Sequence, residues 1–306
     1  MPLDRAKRLV EVGYLPKELP LEFNSTSFAR HFRSLLPTLR KVKPKLTTAG
    51  FFHLSMANQA RRMVRIIHPK SCADQADVIS ANWPNINKIL RASPICVSRP
   101  RFATPSNVER NRATNLGPTQ SLSELQLQFS ADHRFILQTD IARFFSSVYT
   151  HAIPWAIHGK AVAKANHSDT LYGNALDTAT RNGQDGQTIG IPVGPDSSHI
   201  ISELVAARID EAAMSGKNVL GYRYVDDYFL GFDSEADAND MLHRIEAAAR
   251  DFQLELNYGK TSIVRSTDVN TAIGSDPIRD FHFNNDEKPS VQELHRFFSV
   301  ATDQVK

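Results

Sequence analysis

The chain has 306 residues, 41% hydrophobic and 23% charged, which is apolar enough for a sizeable core in one large or two modest domains and excludes a disordered or collagen-like chain. Two cysteines, Cys72 and Cys96, are too few for a disulfide scaffold or a four-cysteine zinc site. The net charge of +3 hides an asymmetry, because residues 1–120 carry 20 Lys+Arg against 7 Asp+Glu and the remainder carries 16 against 26. A basic front and an acidic back suit an enzyme that grips phosphate with cations and metal with carboxylates, and suit a plain solvated basic surface equally well.

The start, MPLDRAKRLVEVG, lacks the apolar core of a signal peptide, and there is no run of about 18 apolar residues. A soluble cytoplasmic protein with no membrane partner is expected. Along the first 120 residues, SFARHFRSLLPTLRKV and NQARRMVRII read as helical pieces. The Pro- and Arg-containing stretch SRPRFATPSNVERNRATNLGP follows them as a loop, within a small α+β module. From about residue 131 the texture changes. RFILQTDIARFF reads as an apolar strand ending at Asp140 and entering a helix, THAIPWAIHGK follows, and TRNGQDGQT reads as a polar loop. GIPVGPDSSHIISELVAARIDEA reads as a Gly/Pro turn and then a helix capped by Asp196 or Ser197, with Ile200, Ile201, Leu204, Val205 and Ile209 on one face. A hairpin, YRYVDDYFLGF, an amphipathic helix, EADANDMLHRIEAAARDFQLEL, and a short strand, TSIV, complete the series. The order strand, helix, helix, hairpin, helix, strand predicts an α+β sheet covered by helices on one face.

Asp226 and Asp227 are adjacent carboxylates inside an apolar run. A polar turn would explain a lone pair, but Val225 and Tyr228 enclose these two in residues that want to be packed. Asp140 ends another apolar strand, and neighbouring strands of one sheet would bring it to the pair. Like charges 4 Å apart repel by about 4 kcal/mol at an effective dielectric near 20. Three converging carboxylates therefore call for cations, and a pair of Mg²⁺ ions leaves positions open for water and phosphate.

With these residues in view, a family resemblance emerges. YVDD in a hairpin and TDIARFF before it resemble motifs C and A of the reverse transcriptases; GIPVGPDSS is similar to their motif B, and LELNYGKTSIV to motif D. More narrowly, GYLPKELP, SSVYTHAIPWAIHGK and GIPVGPDSS resemble the bacterial abortive-infection and defence-associated reverse transcriptases. The resemblance covers Gly13 to Val264. It implies an α+β right-hand polymerase with basic fingers and a helix-covered antiparallel palm sheet. On this reading residues 1–130 are an N-terminal segment and fingers, 131–275 the palm with motifs A to D, and 276–306 the start of a truncated thumb or C-terminal helical region.

The roles that follow are those the resemblance implies. Asp140, Asp226 and Asp227, with the carbonyl of Ile141, hold two Mg²⁺ ions, for which Mn²⁺ can substitute. Lys260 protonates pyrophosphate or contacts phosphate; a P-loop reading of its GKTS context fails because Leu254 stands where that pattern needs Gly. Phe145 blocks a ribose 2′-OH and so selects deoxynucleotides. Arg112 contacts the triphosphate, in competition with Arg99, Arg101 and Arg110. Gly194, Pro195 and Ser198, in the turn from Gly190 to Ser198, approach the nucleotide or template; Val193 stands where retroviral and intron enzymes often have Gln. His151 and His158 flank Trp155 without a third ligand and are expected to be packed structural residues.

The implied activity is Mg²⁺-dependent deoxynucleotide addition in anti-phage defence, RNA-templated or template-independent, and started from a nucleic-acid or a protein hydroxyl. Deoxynucleoside triphosphates, DNA, RNA and a further protomer are the implied partners. Two alternatives stand beside it: a templated enzyme of retron or intron type, and a palm-derived assembly module without catalysis.

Overall fold

A computed structural model of the chain describes residues 4–20, 22–43, 45–55, 61–102, 112–115, 117, 121–269, 281–283 and 289–303. In its first part, helices α1 (Arg5–Val12) and α2 (Thr26–Lys41) precede an antiparallel hairpin of β1 (Gly50–Ser55) and β2 (Arg61–Ile66). Helices α3 (Pro69–Ala81) and α4 (Trp83–Leu90) follow, then the two-residue strands β3 (Arg101–Phe102) and β4 (Thr114–Asn115). The expected helix in NQARRMVRII is overturned in its described part by β2, while Asn58, Gln59 and Ala60 lie outside the described residues. Of RRMVRI only Val64 is fully buried, but each residue pairs across to β1, so the cross-strand ladder wins over helix propensity.

From residue 122 the order is α5 (Leu122–Asp132), β5 (Phe135–Asp140), α6 (Phe144–Ser147), α7 (Ala152–His158), α8 (Lys160–Ala165), α9 (Tyr172–Asn182) and α10 (Asp196–Ala213). After these come β6 (Leu220–Tyr224), β7 (Asp227–Phe232), α11 (Glu235–Asp251), β8 (Ser262–Arg265) and α12 (Val291–Asp303). Four helices thus stand between β5 and α10, where a simpler pattern was expected. The polar loop read over TRNGQDGQT begins late, because Thr180 to Asn182 finish α9 on the buried positions Leu176 and Ala179.

The main sheet is antiparallel throughout, in the order β6-β7-β5-β8. Its two faces differ. Leu137, Tyr228 and Leu230 join a core that runs without a break from Ala6 in α1 to Leu256, so the basic front and acidic back of the chain share one interior. On the other face Ile136, Tyr222 and Phe229 meet Leu125 of α5 and Val269 in a small second cluster. The expectation of helices on one face therefore needs correction: α11 packs on β5 and β7, and α5 covers part of the opposite side. That coverage explains why β5 is buried at Ile136, Leu137, Thr139 and Asp140 rather than at alternate residues.

Helix α10 also departs from expectation. From Asp196 to Ala207 it is buried on every side, including Ser197, Ser202 and Glu203, and Asp210 is buried beyond them, with Arg208, Glu211 and Ala212 reaching solvent near its end, so its apolar residues are not one stripe. Its N-cap is Pro195, with no side-chain cap, because the Asp196 carboxylate is engaged elsewhere. Among the described residues no helix is long and apolar enough to cross a membrane.

Candidate active site

Strand register brings the three carboxylates together. Asp140, the last residue of β5, is the Cα partner of Asp227, the first residue of β7, and directly opposed residues share a face of the sheet. Asp226 lies in the two-residue turn between β6 and β7, where Val225 takes a left-handed φ of 58°. The peptide N–H of Ile141 donates to the Asp226 carbonyl at 3.2 Å, fastening the end of β5 to that turn. Ile141 is fully buried, and beyond it Asn257 N–H donates to the Asp140 carbonyl at 2.8 Å, which seats the segment before β8 beside the same end.

The charges at this tip are not balanced. Lys260 Nζ donates to Asp140 Oδ2 at 2.8 Å, while the buried Asp140 Oδ1 has no partner. Burial and then the neighbouring Asp227 charge push the Asp226 carboxyl up to about 6. Burial also raises Asp227, and the hydrogen bond to Asp140 raises Lys260. Among the described residues no three Asp, Glu, His or Cys side chains are closed into a ready-made metal cage. The donor set nevertheless suits a hard cation: oxygen ligands only, one of them buried and orphaned, in a cluster where a single ammonium faces three carboxylates.

Below the tip the same hairpin is held by a second, fully buried set of charges. Arg223 of β6 donates from Nε to Asp210 Oδ2 at 2.9 Å and from Nη2 to Glu203 Oε2 at 2.9 Å; both acids belong to α10. Its Nη1 donates to the Val225 carbonyl at 2.6 Å, and Val225 N–H donates to Ser98 Oγ at 2.7 Å. Ser98 in turn donates to Glu203 Oε1 at 2.5 Å, while Ser93 and Tyr228 donate to Asp210 at 2.6 and 2.9 Å. Burial alone would raise Glu203, but Arg223, His199 and the Ser98 hydrogen bond together outweigh it and hold the acid below its ordinary range. Asp210 is raised because burial prevails there. One guanidinium and three neutral hydroxyl donors, with the Cys96 thiol 3.2 Å from Glu203 Oε2, thus satisfy two carboxylates and fix both sides of the Val225 peptide. Sequence reasoning missed this network. Its available signal was Glu203 and Asp210, seven residues apart on one stripe of an otherwise apolar helix.

The remaining predicted residues divide. Phe145 is half-buried, stands edge-on to Phe144 with centroids 6.0 Å apart, and its carbonyl accepts from Ile191 N–H at 2.7 Å, beside the Gly190–Ser198 turn. Gly194 has φ 132°, and a Cβ there would lie 2.5 Å from Pro16, so close packing of that turn on the N-terminal segment requires glycine. Pro195 is buried as the N-cap of α10, and Ser198 is buried with its hydroxyl unpartnered. Arg112 is not presented as a free cation. Its guanidinium is bonded to Asp196, to the Leu15 carbonyl at 2.7 Å and to the Gly194 carbonyl at 2.7 Å, so it clamps the N-terminal segment to the turn. Arg110 lies outside the described residues. Strand β2 is fastened to this turn through its backbone: Arg65 N–H donates to the Val193 carbonyl at 2.8 Å, and Arg61 and Arg62 are exposed on the same strand. His158 Nε2 accepts from Gly173 N–H at 3.0 Å, a packing role as expected.

Comparison with known proteins agrees with this geometry. The helices and antiparallel sheet form the fingers and palm of a right-hand polymerase. The family model of the reverse transcriptase (RNA-dependent DNA polymerase) matches residues 77–291, and the chain belongs to that family. Among solved structures it is similar to an apo telomerase from Candida tropicalis truncated from its C-terminal domain, at 11% identity and a TM-score of 0.49. The alignment covers 82% of this chain and 58% of that one, so the chain spans little more than half of its length. No match was found among the curated proteins.

Proposed function

We propose that the chain is a Mg²⁺-dependent DNA polymerase of the bacterial defence type, adding deoxynucleotides to a nucleic-acid or protein hydroxyl. The observation that carries the reading is the register pairing of Asp140 with Asp227 beside the Asp226 turn. Asp140, Asp226, Asp227 and the Ile141 carbonyl would hold two divalent ions. When bound, such a pair lowers the pKa of an attacking hydroxyl and neutralises a departing pyrophosphate.

The chain's own residues supply the rest. Lys260 lies against Asp140 with 66% of its side chain exposed, which suits it to protonate the leaving pyrophosphate. Phe145, braced by Phe144, excludes a ribose 2′-OH. The β2 arginines, rather than Arg112, take the triphosphate, because their strand is tied to the Val193 carbonyl. Residues 1–130 serve as N-terminal segment and fingers, 131–275 as palm and 276–306 as part of a thumb or C-terminal helical region. The defence assignment rests on GYLPKELP, SSVYTHAIPWAIHGK and GIPVGPDSS.

The deciding experiment gives labelled deoxynucleotides and Mg²⁺ to wild type and Asp226→Asn, with and without RNA template, and separates free DNA from DNA bonded to protein. Expected is incorporation by wild type alone. Inertness under every condition would leave the assembly-module reading, and synthesis only on a copurifying structured RNA would favour the retron or intron type.

A further inference from the structure

Helices α7 to α9 border a cavity of about 360 Å³ that the polymerase reading leaves unused. Its construction is specific. The Asp177 side chain is only 5% exposed; its Oδ2 lies 2.6 Å from His151 Nδ1, and its Oδ1 accepts from Arg181 Nε at 3.1 Å. His151 and Arg181 themselves remain 37% and 31% exposed along the cavity. A buried carboxylate that fixes two bases by one nitrogen each orients their other nitrogens for a ligand, as supporting carboxylates do for ligating histidines. Lys164 and His167 bring the lining to four nitrogen bases against one acid.

Aromatic rings adjoin this cluster, Tyr149 standing edge-on to His151 with centroids 4.9 Å apart. Tyr149 and Trp155 meet edge to face with centroids 5.6 Å apart, and the Lys164 ammonium lies 6.0 Å from the Trp155 ring centre. Bases favour an anion and rings favour a flat partner. Together they fit a nucleotide, and the volume lies at the low end of the roughly 300–1,000 Å³ typical of small-molecule sites.

We propose that this cavity binds one nucleoside 5′-phosphate unit, as a free nucleotide or as one residue of a single strand. The base lies against Tyr149 and Trp155, and the phosphate meets Arg181, Lys164 and His151. The site is joined to the substrate side of the molecule by a short ladder. Tyr149 bridges Ile189, Thr150 N–H donates to the Thr188 carbonyl, Gly190 N–H to the Val148 carbonyl, and Ile191 N–H to that of Phe145. An occupant would therefore brace the segment that carries both Phe145 and the Gly190–Ser198 turn. The proposal does not depend on turnover.

The chain has two tryptophans, so Trp83→Phe leaves Trp155 as the sole reporter. In a Trp83→Phe, Asp226→Asn background with chelator, thymidine 5′-monophosphate, oligothymidylate and inorganic phosphate are titrated while tryptophan emission is followed. Saturable quenching is expected, weakened about tenfold by Arg181→Gln and by the exposed Lys164→Ala. Saturation by the oligomer alone identifies a strand, and saturation by both admits the free nucleotide. No saturation with either, quenching by phosphate at the same concentration, or binding unchanged in both variants overturns the proposal. Calorimetry on Asp226→Asn with both tryptophans intact gives the same decision if Trp83→Phe fails to fold. Because the background lacks Asp226, failure here leaves the polymerase reading standing.

Discussion

Arg223 and Asp226 lie three residues apart on one hairpin, and their surroundings treat charge in opposite ways. At Arg223 two carboxylates, a guanidinium and several hydroxyls are sealed from water with nearly every donor matched. At Asp226 three carboxylates share one largely exposed ammonium and leave a buried oxygen unpartnered. Matched buried charge holds a shape, whereas unmatched charge stores an affinity for a cation. The lower set holds the Val225 peptide in its left-handed turn so that the upper set stays poised despite its own repulsion.

The comparison is broken most severely at the tip. Asp226→Asn keeps the shape and removes a charge, so it should lower turnover by about 10³-fold or more while the protein stays folded. Primer extension together with a melting curve reads both. A drop in turnover that merely followed loss of folded protein would merge the two regions.

Next in size is Arg223→Met, which leaves Glu203 and Asp210 buried without their cation and should cost about 3–5 kcal/mol of stability. Chemical denaturation measures it. If replacing Arg223, Glu203 and Asp210 together with apolar residues restored stability but not activity, the network's role would be positional rather than energetic. Ser98→Ala is milder. It removes a hydroxyl that accepts from Val225 N–H and donates to Glu203, and about 1–2 kcal/mol should be lost. Its more telling readout is a raised Mg²⁺ requirement for synthesis, since the Asp226 turn would loosen.

The contrast also explains what could be read from sequence. Asp226 and Asp227 were legible because a pair of acids in an apolar run conflicts with its local surroundings, and Asp140 because it ends a strand of the same texture. The hairpin followed from two short β patterns separated by two residues. Glu203, Asp210, Ser93, Ser98 and Arg223 were not legible as a set. Their meeting depends on α10 being wrapped around most of its circumference, a tertiary fact that the Ile and Leu spacing disguises as a one-sided helix. NQARRMVRII failed for a related reason: arginine is a good helix former, and only pairing with Gly50–Ser55 makes the strand preferable. Arg112 reads in sequence as a triphosphate contact, and its actual partners Leu15, Gly194 and Asp196 come from distant segments.

The smallest predicted effect separates the two regions by pH. Asp226 is raised from an ordinary aspartate value to about 6 in the folded chain, so the folded state binds the extra proton more readily than the unfolded state. Its contribution to stability is complete below about pH 4 and is lost as pH rises through about 6. In the presence of chelator, Asp226→Asn should therefore melt with wild type near pH 4 and above it at pH 8, by about 1–2 kcal/mol once solvent screening is allowed for. Mg²⁺ at pH 8 should reverse the order, because ligand bound to the folded state stabilises wild type by mass action and the variant has lost a ligand. Arg223→Met should show no such reversal, since its missing charge lies in the matched set. Equal melting of wild type and Asp226→Asn at pH 8 in chelator would mean that the tip carries no uncompensated buried charge, and the contrast between the two ends of the hairpin would fail.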